Sequence, residues 1–203
     1  MKTIEEILEK ARSLGRKRIA VAAAQEHSAL EAACAAAEHG LADPILIGDL
    51  GAVDRIAGEL GLDVSKFQRI DEKDNGRAAA KAVELVREGR ADLLMKGILD
   101  TSVLLKAVLN KENGLSAGRL TSHVAVMEAA SYHKLLIVTD AAINIAPDIP
   151  GKIDIIANAV QVAHALGIAN PKVALLAAVE KVNWEKMPCT ADAAVLTQMN
   201  RRG

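Results

Sequence analysis

The 203-residue sequence has few aromatic residues: one phenylalanine, one tyrosine and one tryptophan, which are Phe67, Tyr132 and Trp184. Proteins that bind single-stranded nucleic acid commonly stack bases on aromatic side chains, and so few aromatics argue against that class. The core must instead be built from alanine, valine, isoleucine and leucine. With 51% hydrophobic residues, the chain can form one large core or two small ones.

Cysteines are also scarce. Cys34 and Cys189 are too few for a disulfide framework or a zinc site, and we interpret both as reduced packing residues. No apolar run approaches the length of a membrane span, and the charged amino terminus is typical of a helix rather than of a signal peptide. These absences predict a cytoplasmic protein that does not bind membranes.

The chain has no excess charge of either sign, since Lys+Arg number 25 and Asp+Glu number 26. A nearly neutral chain has no overall basic field to attract nucleic acid or an anionic membrane, although a local basic pocket for phosphate is compatible with it. The sequence also lacks Walker, Gly-x-Gly-x-x-Gly, zincin and Gly-x-Ser-x-Gly motifs. P-loop NTPases and α/β-hydrolases are therefore disfavoured, and a dinucleotide-binding function is weakened without being excluded.

What the sequence does contain is an alternation of amphipathic helices and short apolar strands. A capping box at Thr3–Glu6 opens the first helix, and Gly15 ends it. The alternation is typical of βαβ units, in which helices cover both faces of a parallel sheet, so the predicted fold class is α/β. The predicted strands are Arg18–Ala24, Pro44–Gly48 and Asp92–Met95, and the predicted helices are Ser28–His39, Ala52–Leu60 and Asn75–Glu88.

The pattern changes after Gly97. Two predicted strands with a short connection indicate a hairpin, which is an antiparallel element. We therefore predict an N-terminal α/β domain over residues 1–118 and a second, partial α/β domain over residues 119–203. In this part of the chain, the predicted helices are Thr101–Asn110, Ile153–Leu166 and Ala191–Met199, the predicted loop is Lys111–Gly118, and the predicted strands are Arg119–Glu128, Lys134–Thr139 and Lys172–Val179.

Candidate ligand-binding residues follow from the rule that open α/β sheets bind ligands beyond the carboxyl ends of their strands. Lys96 and Gly97 directly follow a predicted strand. A glycine there lets a ligand approach the backbone, and a lysine adds positive charge near the helix that begins around Asp100–Ser102, whose amino terminus attracts anions. This arrangement favours a cradle for phosphate or for a coenzyme A phosphate. The alternative is a solvated lysine beside a turn glycine.

Two further basic residues, Arg119 and Lys106, are candidate phosphate ligands. Arginine grips phosphate with two parallel hydrogen bonds, whereas lysine acts as a point charge; either residue is alternatively an ordinary surface residue. Ser122 and His123 are weak candidates for a nucleophile and its base. Adjacent residues of a strand point to opposite faces and cannot pair, so we interpret His123 as a structural hydrogen-bonding residue.

Three polar residues, Asp140, Asn144 and Asp148, surround a predicted strand end and a turn at Pro147. We interpret them as turn and helix caps. Two aspartates separated by mostly apolar residues do not match a metal-binding loop. We therefore predict no metal site.

A resemblance to a known family is carried by several segments in order along nearly the whole chain. These segments resemble the phosphate butyryltransferases, within the wider phosphate acetyl/butyryltransferase family. They are Ala91–Gly97, Asp100–Ser102, Gly118–Val126, Thr139–Asp148, Ala163–Ile168, Pro171–Val173 and Ala178–Asn183.

The resemblance implies an enzyme that converts acyl-CoA and phosphate into acyl phosphate and free coenzyme A. It implies two α/β domains with mainly parallel sheets and flanking helices, as in isocitrate and isopropylmalate dehydrogenases, a cleft between them, and a homodimer or larger assembly. Coenzyme A is a substrate, and neither a further cofactor nor a metal is implied. Phosphate or coenzyme A is expected to contact Lys96, Gly97, Thr101, Lys106, Arg119, Ser122 and Asn183; Thr101, Ser122 and Asn183 would contribute neutral hydrogen bonds.

The sequence also departs from the family pattern. Family members are longer, and the segment beyond Gly203 is expected to complete the second domain and, in the acetyltransferase branch, to carry the aspartate base. A general base is expected because it raises the thiolate fraction of coenzyme A, but none is assigned within the 203 residues. Ser116 stands where the butyryltransferase pattern has arginine, and Lys106 is often arginine in relatives.

Three alternatives accompany the butyryltransferase prediction. One is a phosphate acetyltransferase. Another is a module that binds coenzyme A or acyl phosphate without turnover because it lacks the base. The third is a decarboxylating dehydrogenase of the same architecture, which requires a metal-binding set of aspartates and a nucleotide site that the sequence does not offer.

Overall fold

In the computed structural model, the described residues 1–116 and 118–203 form seven helices and six strands. Ala117 falls in the predicted loop 111–118 and lies outside the described residues. The helices are α1 Ile4–Ser13, α2 His27–Glu38, α3 Leu50–Leu60, α4 Asn75–Arg87, α5 Thr101–Val108, α6 Ile149–Ala165 and α7 Pro188–Arg202. The strands are β1 Lys17–Ala22, β2 Ala42–Gly48, β3 Gln68–Asp71, β4 Leu93–Lys96, β5 Val124–Met127 and β6 Leu136–Thr139.

The chain divides into two compact units. The N-terminal unit comprises Leu8–Ala117, and the C-terminal unit comprises Met1–Ile7 and Gly118–Gly203. Within the C-terminal unit, the amino terminus is held by hydrogen bonds from the Met1 ammonium to the Leu166 carbonyl oxygen (3.0 Å) and from the Ile4 N–H to Glu128 Oε2 (2.7 Å). The first residues of the sequence therefore belong to the same unit as the last.

The N-terminal unit is built on a four-stranded parallel sheet in the order β3-β2-β1-β4. Successive residues of the central strand β1 serve opposite faces, as the two-residue period of a strand requires. Ala20 and Ala22 pack with α4, whereas Val21 packs with α2 and α3. These residues are fully buried. The predicted α/β class and the parallel pairing of these strands are confirmed.

One strand of this sheet was not predicted. β3 contains a single strongly apolar residue, Ile70, between Arg69 and Asp71. It lies at the edge of the sheet and pairs only with β2, so its side chains are only partly buried or exposed. A polar edge strand protects a sheet against further pairing, and it has too little hydrophobic periodicity to be recognised from sequence.

The C-terminal unit contains the antiparallel pair β5–β6, in which Val124 pairs with Thr139 and Met127 with Leu136. The predicted hairpin is therefore confirmed, although its first strand begins at Val124 rather than at Arg119. Helices α6 and α7 are joined by the Lys152–Asp192 ion pair.

The predicted strand Lys172–Val179 is wrong, since residues 172–179 form neither a strand nor a bridge. Strand hydrogen bonds need a neighbouring strand, and the described part of the chain places none beside this segment. Most of its apolar side chains are exposed, above all Leu176 at 89%. The segment has the composition of a buried strand, but no strand among the described residues pairs with it.

Candidate functional site

The carboxyl edge of the parallel sheet brings Gly97, which follows β4, against the segment that follows β1. The Gly97 N–H donates to the Ala22 carbonyl oxygen (2.8 Å), and the Ile98 N–H donates to the Ala23 carbonyl oxygen (2.9 Å). A Cβ atom at position 97 would lie 2.1 Å from the Ala23 oxygen. Glycine is thus required here for the approach of two backbone segments, a reason that the sequence analysis did not identify. Its predicted role beside a ligand stays a prediction.

Lys96 ends β4, and its side chain folds over the turn that follows. The Lys96 Nζ donates to the carbonyl oxygens of Gly97 (3.2 Å) and Leu99 (3.0 Å). An ammonium group has three N–H donors, and the described residues accept from two of them. The ammonium is therefore fixed immediately before α5 and keeps one donor for another group.

The amino terminus of α5 lies directly after this turn. Asp100 is the N-cap residue, but its side chain accepts no hydrogen bond from the first turn of the helix. Thr101 and Ser102 are exposed, and the first N–H groups of a helix have no intrahelical acceptor. These N–H groups and the Lys96 ammonium together favour an anion at this corner of the sheet. We call Lys96, Thr101 and Ser102 the β4–α5 corner.

Lys106 lies in the last turn of α5 and is exposed. It follows Ser102 by four residues and therefore shares its face of the helix, with a side chain that leans towards the amino terminus. The described residues form no hydrogen bond or ion pair with its ammonium. The structure thus places Lys106 above the β4–α5 corner, about 6 Å along the helix axis from Ser102 at 1.5 Å per residue.

The second group of predicted site residues lies in the C-terminal unit, on the loop formed by residues 119–123. Side chains hold the backbone of this loop. The Leu120 N–H donates to Asp154 Oδ2 (3.0 Å), and its carbonyl oxygen accepts from Asn158 Nδ2 (2.9 Å). The Thr121 carbonyl oxygen accepts from Asn144 Nδ2 (2.9 Å). Because side chains take up these backbone groups, residues 119–123 do not continue the strand as predicted.

Ser122 and Arg119 differ in how they are held on this loop. Ser122 is half-buried, and its Oγ accepts a hydrogen bond from Asn158 Nδ2 at 2.9 Å. Arg119 is exposed, and its guanidinium forms no hydrogen bond or ion pair among the described residues. It is therefore available to an anion.

His123 precedes β5 instead of lying in it, and its Nδ1 is buried without a hydrogen-bond partner in the described chain. The interpretation of His123 as a structural hydrogen-bonding residue therefore stays a prediction.

Asp140 organises the turn after β6. Its carboxylate accepts hydrogen bonds from the N–H groups of Ala142 (3.1 Å), Ile143 (3.0 Å) and Asn144 (3.2 Å), and from Asn144 Nδ2 (2.5 Å). Burial alone would raise the pKa of Asp140, but the hydrogen bonds donated to the carboxylate, chiefly by Ile143 and Ala142, lower it to about 2. The predicted capping role of Asp140 is confirmed. Since Asn144 also holds the Thr121 carbonyl oxygen, the turn supports the loop that carries Ser122.

Asn183 is exposed and belongs to a turn that precedes α7. Its Oδ1 accepts from the Lys186 N–H (3.0 Å), and its own N–H donates to Thr190 Oγ1 (2.8 Å). The side-chain oxygen is thus occupied by the turn, while the side-chain N–H₂ group donates to no acceptor among the described residues. A ligand role for Asn183 stays a prediction.

Residues that the sequence analysis missed are those that hold the loop 119–123, above all Asp154 and Asn158. They lie four residues apart on α6 and therefore on one face of the helix. Two polar residues at this spacing in the otherwise apolar segment Ile153–Val160 are the signal that could have found them.

Neither a metal centre nor a membrane-spanning helix is found in the described ranges. No group of three or more histidine, cysteine, aspartate or glutamate residues there is placed to hold a metal ion. No helix in those ranges has both the length and the apolar character needed to cross a bilayer.

Comparison with known proteins identifies the family. The model of the family described as phosphate acetyl/butaryl transferase matches residues 2–81 and 75–203. The chain is 48% identical over 203 residues to the phosphate butyryltransferase of Clostridium acetobutylicum, which covers 100% of this chain and 67% of that protein. It is 43% identical over 178 residues to the phosphate acetyltransferase of Rhizobium meliloti, which covers 88% and 56% of the two chains.

A solved structure agrees with these sequence relatives. The branched-chain phosphotransacylase from Enterococcus faecalis V583 superposes with a TM-score of 0.75 at 32% identity, over 90% of this chain and 63% of that one. The chain therefore spans roughly two thirds of the length of this structure and of the Clostridium acetobutylicum protein.

Proposed function

The chain belongs to the phosphate acetyl/butaryl transferase family, and on that premise we propose that it exchanges a short acyl group, butyryl or similar, between coenzyme A and inorganic phosphate. The observation that carries the proposal is the 48% identity to a phosphate butyryltransferase over the whole of this chain. The matched region includes both the β4–α5 corner and the loop 119–123.

The proposed reaction is a displacement at an acyl carbon. Starting from acyl phosphate, the coenzyme A thiol gives up its proton, its sulfur attacks the carbonyl carbon, and the bond from that carbon to the phosphate oxygen breaks to release phosphate. Positive and hydrogen-bonding groups lower the barrier when they contact the oxygens on which charge accumulates. A general base is needed because the thiolate is the nucleophile, and we assign none to this chain.

We propose that the phosphate of the substrate is held at the β4–α5 corner. The fixed Lys96 ammonium would supply positive charge, and Gly97 would let the phosphate approach the backbone. Thr101 would donate hydrogen bonds from its hydroxyl and its N–H group. Lys106 would reach the phosphate from the next turn of α5. The unoccupied donor of Lys96 and the exposed amino terminus of α5 support this assignment.

Arg119, Ser122 and Asn183, in the C-terminal unit, are proposed as ligands of phosphate or coenzyme A. Arg119 offers a guanidinium that has no partner among the described residues. Ser122 offers a hydroxyl, and Asn183 offers a side-chain amide. We also propose the finer architecture that the family resemblance implies: two domains over residues 1–118 and 119–203, with the arrangement of isocitrate and isopropylmalate dehydrogenases. A cytoplasmic homodimer or larger assembly, without metal or a cofactor beyond substrate coenzyme A, completes the proposal.

The direct test is the release of free thiol from butyryl-CoA, measured with a thiol-reactive dye in the presence and absence of phosphate. We expect release that depends on phosphate. A folded sample of confirmed mass that binds butyryl-CoA but releases no thiol would contradict turnover by this chain and favour a binding module.

Acetyl-CoA in parallel tests the second candidate, a phosphate acetyltransferase, which the Rhizobium meliloti relative favours. A larger kcat/KM for acetyl-CoA than for butyryl-CoA would identify the chain as a phosphate acetyltransferase.

Replacing Lys96 with alanine should raise the phosphate KM by about 10-fold or more, the size of one charge-assisted hydrogen bond. The butyryl-CoA KM should change less, because the charge is proposed to act on phosphate. Lys10→Ala is a matched control, since Lys10 is an exposed lysine in the part of α1 that belongs to the N-terminal unit. An unchanged phosphate KM in Lys96→Ala would contradict the proposal that Lys96 binds phosphate.

A further inference from the structure

The orientation of the Asn158 side-chain amide is fixed by its partners. Its Nδ2 lies 2.9 Å from the Leu120 carbonyl oxygen and 2.9 Å from Ser122 Oγ. A carbonyl oxygen can only accept, so the nitrogen of the amide, and not its oxygen, must face Leu120. The –NH₂ group has two hydrogens, and the second is directed at Ser122. Ser122 Oγ is therefore a hydrogen-bond acceptor from Asn158.

A hydroxyl that accepts from a neighbour still has its own proton to donate. In the part of the chain that the structure describes, the Ser122 hydroxyl donates to no residue. An anionic phosphate offers oxygens that accept hydrogen bonds. We infer that Asn158 is a positioning residue that fixes the Ser122 hydroxyl as a donor to a phosphate group bound at the loop 119–123, an inference that rests on the proposed function.

The surroundings of Asn158 support this role. Asp154 lies one helical turn before Asn158 on α6 and accepts a hydrogen bond from the Leu120 N–H at 3.0 Å. Both backbone groups of Leu120 are therefore held, the N–H by Asp154 and the carbonyl oxygen by Asn158. Ser122 and Asn158 are half-buried. Water therefore competes less for their hydrogen bond than it would at an exposed position. Because Asn158 Nδ2 donates to Ser122 Oγ, the hydroxyl proton is left for an acceptor other than Asn158.

Asn144 provides an internal comparison. It holds the same loop through the Thr121 carbonyl oxygen (2.9 Å) but makes no hydrogen bond to Ser122. A variant at Asn144 therefore loosens the loop without changing the partner of the Ser122 hydroxyl, whereas a variant at Asn158 does both. The two positions separate a general loss of loop order from a specific loss of hydroxyl orientation.

The experiment is a double-mutant cycle on the dissociation constant of inorganic phosphate, measured by titration calorimetry on the 203-residue chain. The variants are Ser122→Ala, Asn158→Ala, Asn144→Ala and the two double variants that contain Ser122→Ala. We expect Asn158→Ala and Ser122→Ala each to weaken phosphate binding by about 10-fold, and their combination to weaken it little further. Asn144→Ala should weaken phosphate binding less than Asn158→Ala and should be less strongly coupled to Ser122→Ala, because it leaves the hydrogen bond between Asn158 and Ser122 intact.

Multiplicative effects of Asn158→Ala and Ser122→Ala would overturn the inference, as would unchanged binding in Asn158→Ala. If Asn158→Ala does not fold, Asn158→Leu, which keeps the side-chain size but has no donor, takes its place in the same cycle. A parent chain that binds no phosphate would overturn the role of both residues. Phosphate-dependent thiol release by the parent chain is measured separately, so failure of the cycle with release intact leaves the proposed function standing.

Discussion

Replacing Gly97 with alanine is expected to lower the free energy of unfolding by about 3–5 kcal/mol, from overpacking together with the loss of buried hydrogen bonds. The new Cβ would lie 2.1 Å from the Ala23 carbonyl oxygen and 2.8 Å from its carbon. Both atoms belong to the backbone, so no rotation of a side chain can relieve the contact. The segments after β1 and β4 must move apart.

Such a movement breaks the bonds that join the two segments. The Gly97 N–H and the Ile98 N–H donate to the carbonyl oxygens of Ala22 and Ala23 at 2.8 and 2.9 Å. Ala22 and Ala23 are fully buried, so water does not readily replace the lost bonds. Domains are typically stable by about 5–15 kcal/mol, and a loss of this size would leave the N-terminal unit marginal.

Gly58→Ala is the matched control for this prediction. Gly58 lies within α3 of the same unit, and a Cβ atom there would meet nothing within 4 Å. Because alanine restricts the unfolded chain more than glycine and favours a helix, Gly58→Ala should stabilise the protein by about 0.5–1 kcal/mol. Chemical denaturation followed by circular dichroism measures both variants. Equal stability of Gly97→Ala and the parent chain would contradict the close approach at the sheet edge.

The same residue shows what the sequence could and could not predict. The alternation of apolar strands with glycine-terminated helices predicted the α/β class, the parallel pairing and the position of Gly97 at the end of a strand. The pattern identified glycine at a strand end as compatible with a ligand, but it gave no sign that the chain following β1 lies against it. That contact joins residues about seventy positions apart, and local periodicity carries no information on such contacts.

The C-terminal unit was harder to predict for a related reason. Residues 119–123 have the composition of a strand, but side chains from two later segments, Asn144 and Asp154 among them, take up the backbone groups that a strand would use. Residues 172–179 have strand composition too, and there the described chain supplies no neighbour. Strand formation depends on a partner elsewhere in the chain, so composition alone overestimated strands in both segments.

The carboxylate of Asp140 leads to the second large effect. Asp140→Asn is expected to lower the free energy of unfolding of the C-terminal unit by about 2 kcal/mol at pH 7, since N–H groups bond a carboxylate more strongly than a neutral amide oxygen. The pKa of Asp140 falls from its ordinary value near 3.8 to about 2 in the folded chain. The stabilisation is therefore complete above the unfolded pKa and is lost as the pH falls through the folded pKa.

The difference in stability between the parent chain and Asp140→Asn should consequently be constant down to about pH 5 and shrink steadily towards pH 2. Urea denaturation at a series of pH values measures it. Asp148→Asn is the control, because Asp148 caps α6 through a hydrogen bond from the Gly151 N–H (2.9 Å) and asparagine caps a helix about as well as aspartate. That variant should remain close to the parent chain in stability at neutral pH.

A stability difference in Asp140→Asn that stays constant from pH 7 to pH 2 would contradict a role of the carboxylate charge. Asp140 is also linked to the loop 119–123, because Asn144 donates hydrogen bonds both to Asp140 and to the Thr121 carbonyl oxygen. If the turn holds the loop 119–123 through Asn144, Asp140→Asn should accelerate amide hydrogen exchange in residues 120–124 at neutral pH and weaken phosphate binding in parallel. Faster exchange without weaker phosphate binding would place the phosphate away from this loop and leave the β4–α5 corner as its site.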